Sequence, residues 1–240
     1  MGPPTPYLPN GTRRRDGNPG GRMTDYTLHC FAQSGNAYKA ALMLELCGLD
    51  WEARWVDFFG GETRTDEYRT LNPMGEVPVL IDRSRPGREA KLTQSGVILD
   101  YLAQRTGRFG WENDGERRDI LRWMLFDNHK LTGYVATYRF LRQFAGRGDS
   151  AEAQFLFGRA KAALNVFDSH LANREWVACD RPTIADVSCC GYLFWPDEIG
   201  LDWANYPNLA SWLISVQSLD GWRPPYELMP GHPLPGTQAA

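Results

Sequence analysis

The sequence predicts an α/β domain over residues 23–106 followed by an all-helical domain over residues 113–226. Three observations carry that expectation. Strand and helix patterns alternate in the order β-α-β-α-β-β-α from Tyr26 to Arg105. Strand patterns stop at a glycine-containing joint, residues 107–112. Beyond it, apolar residues recur only at helical spacing.

Tyr26 to Phe31 reads as a strand with Leu28 and Cys30 on one face, and "AQSGN" follows as a turn. From Asn36 the spacing of Ala37, Ala40, Ala41 and Leu44 is helical, and Gly48 supplies the stop. Trp51 to Asp57 alternates as a second strand, and Glu67 to Leu71 fits a short helix. Val79 to Ile81 and Ala90 to Leu92, joined by the polar turn "DRSRPGRE", form a hairpin. Ser95 to Arg105 closes the first domain as a helix facing inward through Val97, Ile98, Tyr101 and Leu102.

The second domain contains helical patterns over Glu116 to Phe144, with a break expected near Gly133, over Ala151 to Ala172, over Pro182 to Trp195 and over Asn208 to Leu219. Residues 1–22, dense in Pro, Gly and Arg, are expected to be a disordered leader. No apolar stretch follows Arg15, so the leader is not read as an export signal. The proline-rich residues 227–240 are expected to be an irregular tail.

Composition excludes several classes. The 240 residues are 42% hydrophobic and 23% charged, with a net charge of −3. That balance offers nucleic acid or an anionic membrane no electrostatic attraction. A membrane span needs roughly 20 consecutive apolar residues, and the longest run, near Val187 to Trp195, falls short. The five cysteines form no CxxC pair and no His/Cys cluster, so neither a disulfide framework nor a metal site is expected, and a cytoplasmic protein fits.

One local feature needs a reason. In "NPMGEVPVLID", Asn72 to Asp82, Pro78 stands at the mouth of an apolar strand. Proline has no N–H for a sheet ladder, so it belongs at a strand start, an edge or a bulge. The segment "NPMGEVPVL" resembles the Asn-Pro-x-Gly-x-Val-Pro segment of the glutathione transferase superfamily. "LTQSGVILDYLA", Leu92 to Ala103, resembles that family's Gln/Glu-Ser at the start of its third helix. "RPTIADVSC", Arg181 to Cys189, resembles its Thr-x-x-Asp helix start in the second domain. Together, in this order, the three motifs resemble the family from about Met23 to Tyr226.

The resemblance implies a thioredoxin-like N-terminal domain, an all-helical glutathione-transferase C-terminal domain, glutathione as co-substrate, no metal, a hydrophobic electrophile and a homodimer. It implies a cis Pro78 that turns the N–H and C=O of Val77 into a groove, where an extended peptide pairs as an added strand. It implies that Gln94 and Ser95, at a helix N-terminus, hold the γ-glutamyl carboxylate of glutathione. Ser95 as a helix cap is compatible with that role.

A thiol has a pKa of about 8.5, and one unit corresponds to about 1.36 kcal/mol. A hydrogen bond to a charged group contributes roughly 1.5–3 kcal/mol, so one well-placed donor suffices to hold a thiolate near neutrality. In serine-type members of the family a serine after the first strand donates to the sulfur. Ser34 is the first candidate and Asn36 the second or a helper, while either residue also fits a plain helix cap. Lys39 could reach the glycyl carboxylate or be solvated. Cys30 lies near where tyrosine-type members carry their tyrosine, but its strand pattern reads as packing. Thr183 and Asp186 fit a capping box, and Tyr134 and Tyr138 could line the electrophile site or the core. A glutathione-dependent disulfide reductase or peroxidase on the same fold is the alternative activity, and a non-catalytic ligand-binding or assembly module is the other rival.

Overall fold

The computed structural model describes residues 24–233, so the expected leader, residues 1–22, and residues 234–240 of the expected tail lie outside the described residues. Within that range the chain forms two units, one made of the chain up to Ile98 together with the segment from Arg223 onward, the other Leu99–Trp222.

The first unit is built on a four-stranded mixed sheet of order β2-β1-β3-β4. β1 (Tyr26–Cys30) buries its alternate residues Tyr26, Leu28 and Cys30. It runs parallel to β2 (Trp51–Trp55), with Leu28 opposite Ala53, and antiparallel to β3 (Val79–Asp82), with Leu28 opposite Leu80. β4 (Ala90–Thr93) completes the hairpin against β3. β3 is buried at all four positions because it is central and covered on both faces.

α1 (Gly35–Leu46) makes the crossover between the parallel strands. Its face-to-face distribution of Ala, Leu and Met leaves nearly every position buried, so it is a core helix rather than a surface one. It ends where Gly48 adopts φ +65° and Leu49 N–H donates back to Leu44 C=O at 3.0 Å, which satisfies an orphan carbonyl. α2 (Asp66–Leu71) is capped by Thr65, whose side chain accepts from Tyr68 N–H. α3 (Ser95–Thr106) follows β4.

The second unit is helical. α4 (Asp114–Phe126) starts on Asn113, which accepts from the Gly115 and Glu116 N–H groups. The long helical pattern expected over Glu116 to Phe144 stays α only to Phe126. Residues Asp127–Ala136 widen to π geometry, α5 (Thr137–Arg139) is a single α turn, and Phe140–Phe144 is wide again. Side-chain bonds cluster along this stretch. Buried Asp127 accepts from Thr132 Oγ1 at 2.9 Å and from Ser188 Oγ at 2.6 Å, and Thr137 Oγ1 donates to the Gly133 carbonyl at 3.0 Å. Of these bonds the one from Thr137 reaches a backbone carbonyl, while the two to Asp127 join side chains and tie the stretch to Ser188 of the Ile184–Cys189 helix.

α6 (Ala151–Leu171) buries Ala153, Ala160, Ala163, Leu164, Phe167 and Leu171 on one face. The Pro182 to Trp195 pattern resolves into α7 (Ile184–Cys189) followed by turns, then α8 (Pro196–Ile199). α9 (Pro207–Gln217) packs Trp212 edge-on against Phe167 at 5.1 Å. After Trp222 the chain rejoins the first unit through α10 (Pro225–Leu228), within a stretch the composition suggests is irregular.

Candidate functional site

The site candidates of the first unit stand at the sheet end where β1 leads into α1. Ser34 is the N-cap of α1, and its Oγ accepts from Ala37 N–H at 3.2 Å. It is 7% exposed. Asn36, two residues on, is half-buried, and its Oδ1 accepts from Lys39 Nζ at 3.1 Å and from Ser95 Oγ at 3.3 Å. An ammonium can only donate, so Lys39 fixes which end of the amide is oxygen. The Nδ2 group of Asn36 then faces away, with no hydrogen-bond partner among the described residues. Lys39 is buried and turned toward Asn36 rather than solvated.

Opposite this turn lies the Asn72–Asp82 segment. Buried Asn72 ties it together: Nδ2 donates to Glu76 C=O at 2.7 Å and Oδ1 accepts from Met74 N–H at 3.1 Å. Tyr68 Oη adds a second bond to the Glu76 carbonyl at 3.0 Å. Gly75 has φ +65°, and a Cβ there would meet the Thr63 carbonyl oxygen at 2.9 Å, so glycine is required twice over. Pro78 is buried and its bond to Val77 is cis. Val77 itself is half-buried, and neither its N–H nor its C=O has a partner among the described residues.

Gln94 occupies the left-handed region, φ +67°, uncommon for a residue with a side chain. Its carbonyl accepts from Ile98 N–H at 3.0 Å, so it opens α3. Its exposed amide donates to Glu76 Oε2 at 3.1 Å, joining the α3 start to the Asn72–Asp82 segment. Ser95 is the first residue of α3, where N–H groups have no partner within the helix. The structure therefore brings Asn36, Lys39 and Ser95 into one bonded chain and joins Gln94 to Glu76. Asn72, Tyr68 and Glu76, which sequence reasoning left unassigned, shape the backbone on which Val77 stands. The Asn and Gly of the quoted motif were the available signal for them.

Other candidates lie in packed surroundings. Cys30 is fully buried, and burial pushes its thiol far above the usual range. Tyr138 is 5% exposed and stacks on Phe157 at 4.5 Å, a core contact. Tyr134 is half-buried and accepts from Arg159 Nη2 at 3.1 Å; that bond, with the nearby cations, lowers its phenol below the usual value. Thr183 and Asp186 form the expected capping box.

A mixed four-stranded sheet with an open backbone beside it, followed by a helical unit, defines a thioredoxin-like domain joined to a helical one. Comparison with known proteins agrees. The profile "Glutathione S-transferase, N-terminal domain" matches residues 33–105, and "Glutathione S-transferase, C-terminal domain" matches residues 130–220. A solved structure of a possible glutathione S-transferase from Rhodopseudomonas palustris is 31% identical with a TM-score of 0.74, covering 85% of this chain and 98% of that one. A glutathione transferase family member from Pseudomonas fluorescens, solved with two glutathione bound, is 27% identical with a TM-score of 0.73, covering 87% and 93%. The disulfide-bond oxidoreductase YfcG of Escherichia coli K12 is 26% identical over 190 residues, 78% of this chain and 88% of that protein. The chain belongs to the glutathione S-transferase family.

Proposed function

We propose that the chain binds glutathione on its first unit and holds the thiolate for attack on a hydrophobic electrophile. The carrying observation is the Asn36 amide: its oxygen is pinned by Lys39 and Ser95, which leaves two N–H donors open. A donor held in place before the charge forms costs no reorganisation when the thiolate appears. On this ground the reading puts Asn36 ahead of Ser34 as the sulfur's donor, with Ser34 mainly capping α1. Lys39 acts through Asn36 in this reading, by orienting its amide.

The open N–H and C=O of Val77, next to Pro78, pair with the extended backbone of the tripeptide. Gln94 and Ser95 receive the γ-glutamyl carboxylate at the start of α3. In the reaction the sulfur forms a bond to the electrophilic carbon and the leaving group departs with its electron pair. The protein is read as a cytoplasmic homodimer serving detoxification.

A second reading has specific support in the E. coli relative, named a disulfide-bond oxidoreductase. The same thiolate would attack a disulfide sulfur, release one thiolate and form a mixed disulfide that a second glutathione resolves. Cys30, buried with its thiol pushed up, has no part in that sequence.

Tryptophan fluorescence on titration with glutathione, together with ultraviolet thiolate absorbance against pH, tests the shared core of both readings. Ser95→Ala is expected to weaken binding about tenfold, the equivalent of one lost charge-assisted hydrogen bond. Folded protein that binds no glutathione would leave the non-catalytic module as the surviving account. Product analysis with haloaromatic compounds and with mixed disulfides then separates transfer from reduction.

A further inference from the structure

The turn that carries Ser34 and Asn36 is gripped by the far end of the chain. Ala32 N–H donates to Pro230 C=O at 2.8 Å. Gln33 makes a paired contact with one backbone residue: Nε2 donates to His232 C=O at 2.8 Å and Oε1 accepts from His232 N–H at 3.1 Å, across 199 residues of sequence. Gln33 is 4% exposed, so both halves of this pair are buried, where an unmade bond is costly. Gly231 fits between: a Cβ there would stand 2.8 Å from Ala32 Cβ and 2.9 Å from Gln33 Oε1.

The His232 ring anchors the segment against Phe31, Trp55 and Phe59, with centroids 5.6, 5.3 and 4.5 Å away. Tyr38 Oη, on α1, donates to Arg223 C=O at 2.8 Å. Ser34 N–H closes the turn onto the Phe31 carbonyl at 3.0 Å, so Ala32 and Gln33 are its two central residues. The grip therefore acts on the residues that aim the start of α1.

We propose that Gln33 is a positioning residue: its paired bonds to the His232 backbone set the direction in which Asn36 presents its amide to the glutathione sulfur. This rests on the reading of the site given above. A purely structural grip would stabilise the fold and leave the bound thiol alone, and that difference is measurable.

Gln33→Met keeps the length of the side chain and removes both hydrogen-bonding ends, while Gly231→Ala keeps Gln33 and pushes the segment off the turn. Full-length wild type and both variants are titrated with glutathione, and the thiolate absorbance of the bound tripeptide is followed against pH. Both variants are expected to bind glutathione within about threefold of wild type. The midpoint of the bound thiol should rise by about one unit, and turnover below that midpoint should fall about tenfold. Variants that lose only melting temperature, with the wild-type thiol midpoint and turnover intact, overturn the proposal. If Gln33→Met does not fold, Gln33→Glu, which keeps the acceptor for His232 N–H and loses the donor, decides in the same way. A wild type that binds no glutathione overturns the reading of the site and the positioning role with it; a wild type that binds, with unaltered variants, overturns the positioning role alone.

Discussion

Two helix starts in this molecule use the same capping chemistry to different ends. At α7, Asp186 is fully buried and accepts from four donors: Val177 N–H at 2.9 Å, Trp212 Nε1 at 2.9 Å, Thr183 N–H at 2.8 Å and Thr183 Oγ1 at 3.2 Å. Thr183 Oγ1 accepts in turn from Ala185 N–H. Burial pushes the Asp186 carboxyl up, and the four donors pull it back. At α1, the Ser34 hydroxyl oxygen accepts from Ala37 N–H alone among the described residues, and the Asn36 amide keeps open donors. A saturated, buried cap is a folding device. An unsaturated one, with the half-buried Asn36 amide beside it, is available to a ligand, because a donor left open gains a charge-assisted bond when an anion arrives.

Asp186→Ala tests the saturated end and should have the largest effect. It strands the buried N–H groups of Val177, Thr183 and Trp212, and a stability loss of about 3–5 kcal/mol is expected in denaturant or thermal unfolding. A loss below about 0.5 kcal/mol, the usual range of surface changes, would break the comparison.

Asn36→Asp tests the open end with no change of shape. Aspartate keeps an oxygen for Lys39 and Ser95 but replaces the open amide donor, proposed to meet the sulfur, with a second carboxylate oxygen. Turnover should fall about 100-fold, as for loss of one preorganised donor, with the bound thiol midpoint raised and the melting temperature nearly unchanged. Retained turnover would return the sulfur to Ser34.

Ser34→Ala sharpens the contrast between the two neighbours. Losing the N-cap should cost about 1 kcal/mol of stability, with a smaller loss of turnover than Asn36→Asp. An equal loss of turnover would mean that the serine hydroxyl also reaches the thiolate.

The remaining test concerns pH and touches both units. In the folded chain His29 is lowered from 6.5 to about 4, mainly by burial, then by Arg54 and Arg83. His170 and His232 are lowered too, again chiefly by burial, against opposing pulls from the Val177 carbonyl and from Asp57 respectively. Between the folded and unfolded values the unfolded chain holds more protons, so stability rises with pH across that window and falls on acidification below 6.5. Melting temperature should therefore drop from near-neutral buffer to about pH 5, and His29→Asn should flatten the slope. A melting temperature that rises on acidification would contradict these lowered imidazoles.

Much of the fold was legible because it is written in local repeats. The alternation of Tyr26, Leu28 and Cys30, the helical spacing from Ala37 to Leu44 and the Thr183/Asp186 box each need only neighbouring residues to be read. The Asn72–Leu80 motif was legible for the same reason: its Asn, Gly and Pro answer to backbone demands inside one short segment. The widened helix after Phe126 was not legible: its residues keep an ordinary helical pattern, and the partner of buried Asp127, Ser188, comes from a distant stretch of chain.

By itself, then, the sequence determined the order of elements, the division into an α/β part and a helical part, and which motifs border the candidate site. Those follow from periodicity and turn chemistry, which act over a few residues. Only the tertiary structure decided that Lys39 turns inward onto Asn36, that Ser95 holds the same amide oxygen, and that Gln33 is matched by the backbone of His232. The Ser95 and Gln33 bonds join groups far apart in the chain, and the Lys39 bond, though only three residues long, forms because packing buries that side chain; burial makes an unmade bond costly, so packing settles which partner each group finds.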